Sequence, residues 1–213
     1  MSQKDAFLSG EGDAWFERNA GSAERQIPAS DPLLRVLQDL IPESGGQRLR
    51  VLEVGCGDGA RLHWLAANRN CECSGVDPSP RAVEAMRSRG LDAVCGTADR
   101  LEFGDASFDI VAFGFCLYLC DREDLFRIAA EADRVLRAPG WLVIYDFHAS
   151  HPTRRDYHHL EGLYSYKMDY SALFTWHPDY SMYGQKVFHH GSGAYTDDAS
   201  EWVATTVLRK RRQ

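Results

Sequence analysis

The spacing of apolar positions along this chain changes period several times, and each change marks an element. Leu33, Leu34, Leu37 and Leu40 recur at helical spacing, with Ser30 or Asp31 available as cap and Pro32 in the first helical position. This predicts a helix over 31–40. Residues 49–54 form a short apolar run of strand type, followed by a glycine turn and a helix over about 60–67. A strand follows at about 72–76, and Ser79-Pro80 opens a helix that stops at Gly90. Strands are predicted at 92–95 and 108–113. Asp121 is expected to cap a long helix with Leu125, Ile128, Ala132 and Leu136 on one face. Pro139-Gly140 ends that helix, and a fifth strand runs over 141–146.

The order β-α-β-α-β-β-α-β requires right-handed crossovers between parallel strands. It predicts an α/β fold with a doubly wound, mostly parallel sheet of Rossmann-like type. Residues 148–200 lose this regularity and are rich in His, Tyr, Asp and Gly. Two strand candidates, 182–189 and 202–209, would pair antiparallel at the sheet edge. They bring the sheet to seven strands with an antiparallel C-terminal strand. Such an edge also offers a pairing surface for a second copy, so a homodimer is an open expectation. The stretch 153–177 is too long for an idle connection.

At 213 residues the chain fits one domain, and 44% hydrophobic with 26% charged residues is ordinary for a globular protein. The balance of 24 Lys+Arg against 31 Asp+Glu, net −7, argues against nucleic acid as partner. The basic run Arg209, Lys210, Arg211, Arg212 reads as a solvated tail. The longest apolar stretch, 110–120, is too short for a membrane span, and the polar N-terminus has no signal-peptide core. Six cysteines, mostly in apolar runs, read as buried free thiols in a reducing cytoplasm.

Chemistry concentrates where the first strand runs into Glu53-Val54-Gly55-Cys56-Gly57-Asp58-Gly59. Glycines there allow a sharp turn and close approach of a ligand to the backbone. The second strand ends at Asp77, where doubly wound folds place a ribose-binding carboxylate. A dinucleotide site wants G-x-G-x-x-G; this chain has G-x-G-x-G with carboxylates before and inside it. They would repel a pyrophosphate and suit a cationic ligand bearing hydroxyls and an amine.

With these motifs the sequence resembles the class I S-adenosylmethionine-dependent methyltransferases. VLEVGCGDGA resembles their glycine-rich motif, GVDPSP their second-strand motif, and GTADRLEF their adenine-binding turn. FDIVAFGFCLYL resembles the fourth strand and its exit, RAPGWL the start of the fifth, and WVATTVLRK the closing strand. The resemblance implies S-adenosylmethionine as cofactor, with Glu53, Gly55, Cys56 and Gly57 along its amino-acid end. It places Asp77 and Pro78 at the ribose, Ala98 and Asp99 at the adenine, and Phe115 or Cys116 near the sulfonium. Trp15 and Arg18 of the leading segment would close over the cofactor.

The implied organisation is a single methyltransferase domain over 1–213. It divides into a helical cofactor cap (1–47), a cofactor-binding core (48–147), a substrate-recognition insert with edge strands (148–200), and a closing strand with basic tail (201–213). The amine-methylating Asn-Pro-Pro-Tyr and Asp-Pro-Pro-Tyr signatures are absent, and Tyr118-Leu119 stands where many small-molecule relatives carry His-His.

Methyl transfer needs an aligned acceptor and, for a hydroxyl, a base. The candidates are Tyr118, Asp146 and His148, then His158 or His159. Seven of the 8 histidines follow residue 147, but no H-E-x-x-H or Cys-x-x-Cys accompanies them, so no metal is expected. The aromatics from Tyr157 to Tyr183 are the expected substrate region. The expected activity is methyl transfer to a small molecule, at a hydroxyl oxygen, with a sugar or glycan precursor as one class of acceptor. The alternatives are a non-catalytic cofactor-binding partner protein and, behind it, an NAD-dependent dehydrogenase.

Overall fold

The computed structural model describes residues 2–19 and 30–211. The leading segment is helical: α1 (Gln3–Ala6), a π-helical turn (Phe7–Glu11) and α2 (Gly12–Asn19). Then come α3 (Pro32–Leu40), β1 (Leu49–Val54), α4 (Ala60–Asn68), β2 (Cys71–Asp77), α5 (Pro80–Ser88), β3 (Asp92–Cys95) and β4 (Phe108–Gly114). Two 3-10 turns, Leu117–Leu119 and Arg122–Asp124, lead into α6 (Leu125–Val135) and β5 (Leu136–Phe147). The last third holds β6 (Thr153–Asp156), β7 (Tyr164–Lys167), α7 (Ala172–Thr175), β8 (Tyr180–His189) and β9 (Trp202–Lys210).

The seven-stranded sheet has the order β3-β2-β1-β4-β5-β9-β8. β1 through β5 are parallel, and β9 runs against both its neighbours, β5 and β8. This is the α/β, mostly parallel Rossmann-like sheet with an antiparallel closing strand that the periodicity predicts. The central strands read as continuous apolar runs because helices cover both faces. One face packs Leu52, Phe113 and Leu142 against α6 and α7; the other packs Val51, Ile110 and Val143 against α3, α4 and α5.

Local chemistry sets the helix starts. Asp31 accepts from Leu34 N (2.8 Å) at the head of α3, and Ser79 accepts from Ala82 N (3.0 Å) at the head of α5. The helix expected from Asp121 to Leu136 is shorter. The Asp121 carboxylate is taken by the amides of Gln3 (3.0 Å) and Lys4 (2.9 Å), so a 3-10 turn intervenes. At the other end Leu136 already pairs with Phe108 as the first residue of β5.

Two further expectations change. The helical cap comprises residues 3–19, because α3 buries Leu33, Leu34 and Leu37 in the sheet's own core; residues 20–29 of the proposed cap lie outside the described residues. The basic tail is not a free run. Lys210 Nζ pairs with Asp133 (2.8 Å) and bonds the Leu136 carbonyl (3.0 Å), and Arg209 stacks on Trp141 at 4.3 Å; Arg212 lies outside the described residues. The 153–177 stretch, too long for an idle connection, does hold structure of its own, a separate β6–β7 hairpin followed by α7.

All six cysteines are free. Among the described residues no helix is long and apolar enough to cross a membrane. Ile110 is fully buried in the middle strand. Ile110→Ala is expected to lower unfolding free energy by about 2–5 kcal/mol, checked by denaturant titration; a loss below about 1 kcal/mol would place this residue outside the tightly packed core.

Candidate functional site

Parallel strands deliver their C-terminal ends to one edge, and ligands of such folds sit there. At that edge a cavity of about 810 Å³, including its open mouth, lies between the exits of β1, β2 and β4 and the leading helical segment. The β1 exit turns sharply, and Gly55 (φ +76°) passes so close to Cys116 that a Cβ would sit 2.6 Å from the Cys116 Cβ. Only glycine fits this crossing. The loop is tied to β2, since Gly55 N and Cys56 N both donate to the Val76 carbonyl (2.8 and 3.2 Å).

Asp77 stands at the centre. Its carboxylate accepts from Gly57 N (2.9 Å) and Ser79 N (3.0 Å) and borders the cavity. Burial pushes its carboxyl up, opposed by those two amide bonds. Pro78, Ala98, Asp99, Phe115 and Cys116 line the same space, as does Trp15. Asp99 accepts from Lys4 Nζ at 2.7 Å, and Lys4 also bonds Asp124 at 2.9 Å. Burial would raise the Asp99 carboxyl, but bonds from Lys4 and Thr97 outweigh it and hold it below the usual range.

The cap closes through polar pins rather than a broad apolar face. Gln3 donates to the Leu119 carbonyl (2.6 Å) and accepts from Tyr164 N (2.7 Å), while Asp13 accepts from the Ser79 hydroxyl (2.5 Å). Trp15 Nε1 donates to the Tyr118 hydroxyl at 3.2 Å.

Several expected site residues stand elsewhere. Glu53 is fully buried and does not border the cavity; it pairs with Arg61, which also bonds Asp31 at 3.1 Å. Burial pushes the Glu53 carboxyl up to about 7 against the pull of Arg61, and its Oε2 has no partner among the described residues. Cys56 is buried behind the loop, and Gly57 acts through its amide on Asp77 rather than as lining. Arg18 does not cover the cavity, because Glu11 and the Tyr157 hydroxyl (2.9 Å) hold it.

The expected bases fare similarly. Asp146 accepts from Leu117 N (2.7 Å) and Phe147 N (2.8 Å), which spends it on the backbone of the β4 and β5 exits. Tyr118 serves as acceptor for Trp15, and burial raises its phenol, which disfavours ionisation. His148 packs on Trp202 at 6.1 Å and is absent from the cavity lining. His158 and His159 stand on the hairpin connection, where His159 packs on Tyr157. The expected aromatic substrate region divides too: Tyr170, Phe174 and Tyr180 are buried core, whereas Trp176 and Tyr183 are exposed. Among the described residues no three His, Cys, Asp or Glu side chains come together to hold a metal ion.

One histidine is at the wall of the site without having been singled out. Phe115 has a left-handed backbone (φ +64°), a conformation uncommon for a bulky residue. Its ring stacks on His190 (5.3 Å, 17° between planes) and meets Tyr145 at 5.1 Å and Phe147 at 4.8 Å. Burial lowers the His190 imidazole, keeping it neutral near pH 7. The only sequence signal was the His189-His190 pair itself.

The comparisons agree with this geometry. Residues 52–144 match a family described as "Methyltransferase domain". A fatty-acid O-methyltransferase of Mycolicibacterium smegmatis is 37% identical over 102 residues, 46% of this chain and 36% of that one. A 27-O-demethylrifamycin SV methyltransferase of Amycolatopsis mediterranei is 34% identical over 142 residues, 62% of this chain and 49% of that one. The chain thus spans half or less of these curated relatives. In structure it resembles the Burkholderia thailandensis 1,6-didemethyltoxoflavin-N1-methyltransferase, solved with 1,6-didemethyltoxoflavin and S-adenosylhomocysteine. The TM-score is 0.70 at 17% identity, covering 98% of this chain and 87% of that one.

The buried Asp146 generates a pH signature. Burial raises its carboxyl from 3.8 to about 7, against the backbone bonds that lower it. The folded protein therefore keeps a proton that the unfolded chain releases, and stability falls as pH rises from about 4 to about 7. Asp146→Asn is expected to flatten that slope in denaturant titrations across the window; an unchanged slope would assign it to other groups.

Proposed function

We propose that this chain is a class I S-adenosylmethionine-dependent methyltransferase, a reading supported by the family match over residues 52–144, and that it transfers a methyl group to an oxygen atom of a small molecule. The observation that carries the reading is Asp77, a half-buried carboxylate fixed by two amides with its remaining lone pairs at the cavity. The donor set fits an adenosyl sulfonium. Among the described residues four carboxylates, Asp77, Asp99, Asp121 and Asp124, border the space, and its one lysine, Lys4, is already engaged by Asp99 and Asp124. A pyrophosphate would meet uncompensated negative charge there, which disfavours the dinucleotide alternative.

In this reading Asp77 accepts from the ribose hydroxyls, and Ala98 and Asp99 stand at the adenine. Gly55, Phe115 and Cys116 border the amino-acid and sulfonium end, and Trp15, held by Tyr118, excludes water from above. S-adenosylmethionine, when bound, supplies an electrophilic methyl group on a good leaving group. The chain's own task is alignment, together with removal of the acceptor's proton. His190, neutral and stacked on Phe115, takes that proton, in place of the histidine expected at 148. Oxygen is favoured as acceptor because both curated relatives named above are, by name, methylators of an oxygen. The sugar class suggested by the sequence has no specific support in the geometry.

Asp77→Ala is expected to weaken S-adenosylhomocysteine binding at least tenfold, the equivalent of about 1.5–3 kcal/mol for a lost charged hydrogen bond. Calorimetry on a folded variant checks this, and unchanged affinity would sink the ribose assignment. His190→Ala is expected to slow turnover by about 10²–10⁴-fold with unchanged cofactor affinity, and to abolish the fall in rate at acid pH. A variant with the wild-type rate and pH profile would mean that His190 is not the base.

A further inference from the structure

A second concavity opens on the other side of Phe115. It is a groove of about 2040 Å³, including its open mouth, between the start of α3 and the bare face of β5, β9 and β8. α3 packs on β5 at one side of this face; among the described residues no helix lies over β9 and β8, and Gly184 leaves room there, with nothing within 4 Å of where a Cβ would be. Register puts Tyr145, Thr205 and Lys186 in one row across the three strands, all facing the groove. His190, from the same face, stacks on Phe115, whose residue also borders the cofactor cavity. The stacked rings of Phe115, on the cavity side, and His190, on the groove side, therefore stand between the two spaces.

Three observations indicate what the groove would hold. The Thr205 hydroxyl is buried and has no hydrogen-bond partner among the described residues. Arg35 and Lys186 border the groove without a carboxylate at ion-pair distance among the described residues. Among the described residues the groove's one carboxylate, Asp31, is committed to Arg61 and the Leu34 amide. Two uncompensated cations beside an unpartnered hydroxyl, over Phe188 and Val207, complement an anionic group on an apolar body.

We propose that this groove is the acceptor site and that it takes a small organic acid, whose anionic group is held by Arg35 and Lys186 while its body lies along Tyr145 and Thr205 toward Phe115. This rests on the methyltransferase reading for the identity of the neighbouring cavity, but not for the anion preference.

The test uses the full chain with S-adenosylhomocysteine present. Benzoate, 4-hydroxybenzoate and decanoate are titrated beside their neutral amides by calorimetry, and the bound site is located by backbone amide shifts in NMR. At least one acid is expected to bind about tenfold more tightly than its amide, as for a charged hydrogen bond. The shifts are expected at residues 184–190 and 203–207. Arg35→Gln/Lys186→Gln is expected to erase that preference and leave S-adenosylhomocysteine affinity unchanged. The proposal is overturned if no acid is preferred to its amide, if the shifts lie outside the groove, or if the preference survives in the double variant. Failure of S-adenosylhomocysteine to bind while the acid preference holds would instead remove the cofactor reading and leave the groove assignment standing.

Discussion

The C-terminal edge of this sheet is held in shape by carboxylates that take the backbone N–H groups of a neighbouring exit. Parallel strands end with amides that the sheet cannot satisfy, and buried amides must find acceptors. Asp77, ending β2, serves the loop after β1 and the start of α5. Asp146, in β5, serves the turn after β4. Asp121 extends the scheme outward by accepting the first amides of the leading segment. The difference between the first two is access. Asp77 borders a cavity, whereas Asp146 is 1% exposed and its hydrogen bonds go to backbone amides. One chemical group thus closes the backbone at one position and lines the cavity at the other.

That distinction marks how far the sequence could be read. The βαβ core was legible because burial on both faces forces continuous apolar strands, and because Asp31, Pro32, Ser79 and Pro80 mark helix starts by local chemistry. Asp77 was legible because its place after the second strand is fixed by topology. Glu53, Asp146 and His148 were misplaced for one reason: a sequence shows that a titratable group is near a site but not where its hydrogen bonds are spent. Glu53 goes to Arg61, Asp146 to Leu117, and His148 against Trp202. The α6 boundary failed similarly, since the carboxylate expected to cap it belongs to a partner more than a hundred positions away in the chain.

His190 and the groove were hidden for a different reason. Their neighbours come together only through the antiparallel register of β9 with β5 and β8. A shift of one residue in that register would turn Thr205 and Lys186 to the opposite face. Nothing local in 180–210 fixes the register from sequence; the packing of Val203 and Leu208 into the interior does.

Phe115 is where these two parts of the molecule meet. Its left-handed backbone costs about 1–3 kcal/mol for a residue of this kind. The Phe115 amide donates to the Tyr145 carbonyl at 2.8 Å, and the ring is held among Tyr145, Phe147, Tyr118 and His190. An extended residue would follow the strand direction and leave the cavity and the groove joined. The strained one turns its aromatic face onto His190, so the rim of the cavity and the rim of the groove are joined by one pair of stacked rings.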